Sequence, residues 1–341
     1  MTAPWERSVE DEILDLRMGA PHVLLLGAGA SKAALPNGDR NGQKVPLLRE
    51  VAHELNLARF FPAELQQLAR SDFESAYSRL VARRGENVPI VQSEVARYFE
   101  QLQLPEEANL YDLLNLCLRE KDAIFTFNWD PFLIQSRSRL AMLGVPVHLP
   151  KVFFLHGNVK VGFCRKDDNS GLLGRSCSYC HQPFEASPLL FPVEEKNYQD
   201  GALVEREWKA LAHYLKHCFM FTIFGYSAPQ TDVEALRLLK EAWGEVGDRQ
   251  LEQTEIIDHP GCDEVALRAR WQPFIHTHHY DVFDSFYESW IANHPRRTGE
   301  AYWAQYLDAQ FIDNHPVPRV GGALRDLADW FAPLWEVENR H

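Results

Sequence analysis

Along this chain, short runs of β-branched and aromatic residues alternate with longer segments in which apolar positions return every three or four residues. Five short runs stand out: HVLLL (22–26), AIFTF (123–127), VFFL (152–155), FMFTIF (219–224) and EII (255–257). Each stops abruptly at polar or glycine residues, the pattern of a strand buried on both faces. Segments 46–70, 73–84, 107–119, 203–217 and 232–243 carry the helical period between them. The alternation predicts an α/β fold, a doubly wound, Rossmann-like parallel sheet covered by helices. Ligands of such sheets bind beyond the carboxyl ends of the strands. All five polar endings fall there: Gly27-Ala28-Gly29-Ala30-Ser31, Asn128-Trp129-Asp130, His156-Gly157-Asn158, Gly225-Tyr226-Ser227 and Asp258.

Composition narrows the function classes. The chain has 341 residues, 45% of them apolar, enough for one large core or a core with an added module. Acidic residues outnumber basic ones 48 to 35, for a net charge of −13, and no Lys/Arg run follows a phosphate backbone, which argues against direct nucleic-acid binding. The amino-terminal stretch is acidic, without an apolar targeting core, and the longest apolar runs are too short to span a bilayer. A cytoplasmic chain with no membrane partner is expected. Its six cysteines are then expected to be reduced, so any that cluster ask for a metal.

Gly27 and Gly29 permit a tight turn that brings backbone N–H groups toward a phosphate, or a turn that merely joins strand to helix. The dehydrogenase fingerprint is incomplete. Lys32 stands where its third glycine would be, and no acidic residue ends a second strand some twenty residues on.

Taken in order, GAGAS, TFNWD (126–130), LHG (155–157), GYS (225–227) and IID (256–258) resemble the motifs of the sirtuin-like Sir2 family, over roughly residues 20 to 260. The resemblance implies a sirtuin-type fold that acts on the bond between nicotinamide and ribose of NAD. By it, Gly27, Ala28, Gly29, Ala30 and Ser31 hold the pyrophosphate and adjoining ribose. Asn128 and Asp130 lie beside the nicotinamide ribose, His156 is the general base, and Gly225, Tyr226, Ser227 and Asp258 line the adenosine half.

These residue types suit that chemistry. Nicotinamide leaves as a neutral ring, so positive charge growing on the ribose must be stabilised and no strong acid is required. Asn128 can hold a water or ribose hydroxyl, and Asp130 can orient its loop or offset the charge. A neutral His156 can accept a proton near pH 7. The same residues also have plainer readings: His156 as a turn residue, Asn128 as a cap.

Departures from the family pattern bear on the reaction. Protein-deacylating sirtuins follow the glycine turn with a Gly-Ile-Pro-Asp-Phe-Arg-like segment; here KAALPNGDRNGQKVPLL (32–48) has no Phe-Arg pair. Their Phe-Gly-Glu-like strand, which pairs with the acyl-lysine peptide, corresponds to LLFPVEEKNY (189–198). A chain that keeps the NAD motifs without the peptide cleft looks like the Sir2-like NAD hydrolases of bacterial antiviral defence, in which water replaces the acyl acceptor. That resemblance implies nicotinamide and ADP-ribose as products, and gating by homo-oligomerisation or a separate regulatory or sensor protein. The alternatives are an NAD-dependent protein deacylase and a non-enzymatic NAD or ADP-ribose sensor.

Cys164, Cys177, Cys180 and His181 form a second constellation, in which the Cys-x-x-Cys pair can grip one face of a tetrahedral zinc. The segment falls where the family carries its zinc ribbon, with one cysteine pair reduced to Cys164. The fourth ligand is then His181, Asp167 or Asp168; a metal-free loop is the other reading. His276 and His278 read as one face of a solvated strand, and Thr231 or Asp232 as the cap of the helix from 232. The expected organisation is a catalytic domain over 1–262, with a small inserted module at 157–200, and a helical C-terminal extension over 263–341 serving packing or assembly.

Overall fold

The computed structural model describes residues 5–144, 148–191, 202–228, 232–249, 251–275 and 279–340. Six strands form one all-parallel sheet: β1 (His22–Leu26), β2 (Ala123–Thr126), β3 (Lys151–Phe154), β4 (Met220–Phe224), β5 (Gln253–Ile257) and β6 (Tyr280–Phe283). Their order across the sheet is β6-β5-β4-β1-β2-β3. The chain therefore starts in the middle, winds outward through β2 and β3, then returns to the other side of β1. The topology reverses between β1 and β4, which is where a doubly wound sheet opens a crevice at its carboxyl edge.

Side chains show the winding directly. Leu24, Leu26, Ile124, Phe224 and Ile257 enter one core, and Val23, Leu25, Phe125, Ile223 and Ile256 the other. Successive strand residues point to opposite faces, so two cores require helices on both. The first face is covered by helices inserted between β1 and β2, among them Phe73–Ala82, Val88–Gln101 and Leu110–Leu116, and by the C-terminal helix Leu324–Glu338. The second is covered by Ala202–His217, Val233–Trp243 and Glu264–Trp271.

The sheet runs past the boundary expected at 262, because β6 and the buried Trp271 and Phe274 lie beyond it. The remaining C-terminal segment packs on its own chain: Phe331, Leu334 and Trp335 join the core of the first face. Arg296 and Arg297 are fully buried, and both pair with Glu338. Truncation after 262 would remove a strand as well as these aromatics, each of which contributes roughly 1.5–3 kcal/mol by burial.

The inserted module is an antiparallel ribbon of Val161–Cys164, Asn169–Leu172 and Glu185–Ala186. Arg206 of the Ala202–His217 helix ties it down, donating to the Asp168 carbonyl at 2.9 Å and to Ser170 Oγ at 2.8 Å. Among the described residues, no helix is long and apolar enough to cross a membrane.

Candidate active site

The glycine turn after β1 and the Gly225 turn after β4 are packed backbone to backbone. Gly225 has φ +64°, and a Cβ there would lie 2.1 Å from the Ala30 nitrogen. A Cβ on Gly27 would lie 2.5 Å from the Gly225 carbonyl oxygen. Only glycine fits either position, one for conformation and contact, the other for contact alone. The turn amides are also engaged: Gly27 N–H donates to the Phe224 carbonyl at 3.0 Å, Gly29 N–H to Gly225 at 2.9 Å and Ala30 N–H to Gly27 at 3.0 Å. The glycines thus close the seam between two strands at the switch point, a role separate from approach to a phosphate.

β2 continues into Phe127-Asn128-Trp129-Asp130. Phe127 enters one core and Trp129 the other, which anchors the loop on both sides of the sheet. Asn128 Nδ2 donates to the Gly27 carbonyl at 3.0 Å and to Ser31 Oγ at 2.9 Å. Both amide hydrogens are committed, so Oδ1 is the atom left to receive a hydroxyl. Ser31 Oγ in turn donates to Asp130 Oδ2 at 2.7 Å, and Asp130 Oδ1 accepts the Phe132 backbone N–H at 3.3 Å. Burial pushes the Asp130 carboxyl up to about 6, against the opposing pull of the Ser31 hydroxyl.

His156 follows β3. The Ala202–His217 helix fastens that strand end, Glu207 accepting the Phe154 N–H at 2.9 Å and Trp208 Nε1 donating to the Leu155 carbonyl at 3.2 Å. The His156 ring is buried edge-on against Phe127, centroids 4.7 Å apart. Asn158 joins this loop to the β2 loop through a 2.6 Å bond from Nδ2 to the Asp130 carbonyl. On the other flank Tyr226 stacks on Phe127 at 4.2 Å, and its hydroxyl donates to Asp232 Oδ2 at 3.0 Å. Tyr226 thus packs on Phe127 while its hydroxyl holds the residue that precedes the Val233–Trp243 helix. Asp232 stands at the cap position without a side-chain bond to the helix N–H groups; Thr231 lies outside the described residues.

The structure thus brings Gly27, Ser31, Asn128 and Asp130 into one bonded group, with Gly225 and Tyr226 on one side and His156 on the other. Ser227 is exposed and its carbonyl accepts from Arg270 at 2.7 Å. Asp258 ends β5, two strands from β1, with its Oδ1 accepting the His259 N–H at 2.8 Å. Two neighbours of the group had no signal in the local sequence pattern, and a third, Phe127, stood in the TFNWD motif without a role. Tyr111 OH lies 2.6 Å from Ser31 Oγ; Arg270 adds a cation beside the Gly225 turn; Phe127 links His156 to Tyr226.

In the ribbon, ligand atoms of Cys164, Asp167, Cys177 and Cys180 lie within 4.8 Å of one another. His181 is not among them: it is exposed, with φ +60°, closing the turn through its N–H to the Cys177 carbonyl at 3.0 Å. The fourth donor is Asp167, brought in by the hairpin between the first two ribbon strands. The Cys180 backbone N–H directed at its sulfur holds the Cys177 thiol below its ordinary value. Three thiols and one carboxylate in this arrangement fit a tetrahedral zinc. His276 and His278 lie outside the described residues, as does 192–198 of the expected peptide strand.

No protein-family model matches the chain. No curated protein matches it. Solved structures similar to it include Sir2 enzymes. One, concerned with the mechanism and regulation of Sir2 enzymes, is 14% identical, with 86% of this chain and 96% of that chain covered and a TM-score of 0.39. A Sir2 homologue mutant in complex with ADP-ribose is 12% identical, with 97% of each chain covered and a TM-score of 0.38. A Sir2 homologue–NAD complex is 14% identical, covering 88% and 93%, at 0.33.

Proposed function

We propose that this protein is an NAD hydrolase that cleaves the nicotinamide–ribose bond with water, giving nicotinamide and ADP-ribose. The observation that carries the choice of water lies next to His156. The Leu190 N–H donates to the His156 carbonyl at 2.9 Å, and Phe191 is buried against Trp129 and Tyr77, with ring centroids 4.9 and 5.2 Å away. The start of the segment expected to pair with an acyl-lysine peptide is thus packed into the core over the β3 turn. Over its described residues, 189–191, it forms no strand for a peptide to pair with, and water needs none.

Each residue then has a task. The glycine turn and the Gly225 turn form the floor of the crevice for the dinucleotide, with Arg270 at its edge for a phosphate and Asp258 toward the adenosine half. Asn128 receives a ribose hydroxyl or the attacking water on Oδ1. Asp130 holds Ser31, and through it the Asn128 amide, so that the acceptor is set before substrate arrives. His156, in its unprotonated form, takes the proton from water as the oxygen bonds to the ribose carbon and the carbon–nitrogen bond breaks. Zinc bound by Cys164, Asp167, Cys177 and Cys180 would supply structural cross-linking of the ribbon.

An unregulated NAD hydrolase would exhaust its own cell. Gating by self-assembly or by a separate regulatory protein, in a bacterial antiviral role, belongs to this proposal. Its test is product analysis of purified protein given NAD alone: equal amounts of nicotinamide and free ADP-ribose support it. Products that appear only with an acyl-lysine peptide, carrying the acyl group, would replace it with deacylation.

A further inference from the structure

The Ser31 hydroxyl has three polar side chains around it: Tyr111 OH at 2.6 Å, Asp130 Oδ2 at 2.7 Å and Asn128 Nδ2 at 2.9 Å. A hydroxyl has one hydrogen to give and two lone pairs; an amide NH₂ only donates and an ionised carboxylate only accepts. With Asp130 ionised, the Ser31 hydrogen must go to Asp130. The Tyr111 O–H is then turned toward Ser31 and the Asp130 carboxylate, and the hydrogens run in one direction, from Tyr111 toward Asp130. When Asp130 takes up a proton the direction reverses: Asp130 donates to Ser31, and Ser31 to the Tyr111 oxygen. A tyrosine hydroxyl serves both states because it gives and accepts.

Tyr111 is held firmly for this. It is buried on the Leu110–Leu116 helix, far from Ser31 in sequence, with its ring 5.3 Å from that of Phe132. Its N–H donates to Asn109 Oδ1 at 3.0 Å, and its carbonyl accepts from Asn115 Nδ2 at 3.0 Å and Ser136 Oγ at 3.1 Å. We infer that Tyr111 is a positioning residue of the strand-end site, the far end of a reversible hydroxyl relay through Ser31 that sets the Asn128 amide. The catalytic part of this inference rests on the NAD hydrolase reading; the relay does not.

The acidity of Asp130 is set by its burial, the Ser31 hydroxyl, the Phe132 backbone N–H and the Tyr111 hydroxyl, the last three opposing the first. Removing the Tyr111 hydroxyl raises the Asp130 carboxyl further, so the acidic limb of activity moves to higher pH. In Tyr111→Phe, kcat falls about tenfold for the lost bond while NAD affinity stays within about threefold. Unchanged kcat and pH profile overturn the inference. So does a loss of melting temperature and affinity together with an unmoved acidic limb, the signature of packing alone.

The relay is also read without turnover. In full-length protein carrying ¹³Cζ-tyrosine, the Tyr111 signal, identified by its loss in Tyr111→Phe, should show a step near pH ~6 that Asp130→Asn abolishes. A flat signal, or a step that survives Asp130→Asn, overturns the relay. Wild-type protein that shows the step but releases no nicotinamide leaves the relay standing and removes its catalytic part from the ungated protein.

Discussion

Asp130 and Glu255 are both buried carboxyl groups pushed up by loss of water, to about 6 and about 7. Their surroundings differ. Glu255 lies within β5, accepting from Thr222 Oγ1 at 2.8 Å and from the Trp290 backbone N–H; Thr222 Oγ1 lies 2.7 Å from His22 Nε2. That network closes inside the sheet and beneath the C-terminal segment. Asp130 stands at a strand end beside the switch point, in a group that leaves Asn128 Oδ1 for a ligand. Perturbed acidity therefore reports burial in both places, and position relative to the strand ends separates a site from a structural network.

The largest effects should come from the strand ends. His156→Ala and Asn128→Ala are expected to lower nicotinamide release about 10²- to 10⁴-fold in steady-state assays, with melting temperatures close to wild type. If either keeps near-normal turnover, the strand-end group is not the site. Gly225→Val should cost at least about 3 kcal/mol in denaturant unfolding, because its Cβ meets the Ala30 nitrogen at 2.1 Å and φ is +64°. A tolerated valine would mean that the two turns are not packed as described.

Glu255→Gln tests the other side of the comparison. A carboxyl raised from 4.5 to about 7 gives stability that is fully present below about pH 4.5 and lost as pH rises through about 7. The glutamine variant should therefore flatten the fall in unfolding free energy between about pH 5 and 7, by about 1–3 kcal/mol, while nicotinamide release is unchanged. Loss of turnover without a stability change would erase the distinction between the two acids. The smallest effect on the site belongs to the ribbon. Cys177→Ser should abolish bound zinc and Asp167→Ala weaken its retention against a chelator, each leaving NAD affinity within about threefold. Zinc content unchanged in both would exclude the cluster.

Much of this was legible in sequence because central parallel strands are buried on both faces, and four of the five apolar runs announce that directly, while VFFL belongs to the half-buried edge strand β3. β6 gave no apolar run: Tyr280-Asp281-Val282-Phe283 is half-buried throughout and Asp281 interrupts it, so only the solvated-strand reading at His276 and His278 pointed to this part of the chain. The helical period over 46–70 reads as one element, whereas Asn56 at φ +49° and Pro62 divide it into Leu48–Glu54, a short 3₁₀ turn and Ala63–Ser71. Asn128, Asp130 and His156 were visible because they follow strands immediately. Tyr111 was not, because it sits in the first turn of a helix with an ordinary apolar pattern, and only the fold brings it to Ser31. Asp167 entered the metal cluster ahead of His181 for a similar reason: the hairpin turn, rather than spacing along the chain, selects the fourth donor.

The most direct test of the central claim is nicotinamide release from NAD alone, measured side by side for wild type, His156→Ala and Glu255→Gln. Release by wild type and Glu255→Gln, and its loss in His156→Ala, is the predicted result. Release that survives His156→Ala, or that wild type shows only when an acyl-lysine peptide is added, would contradict it.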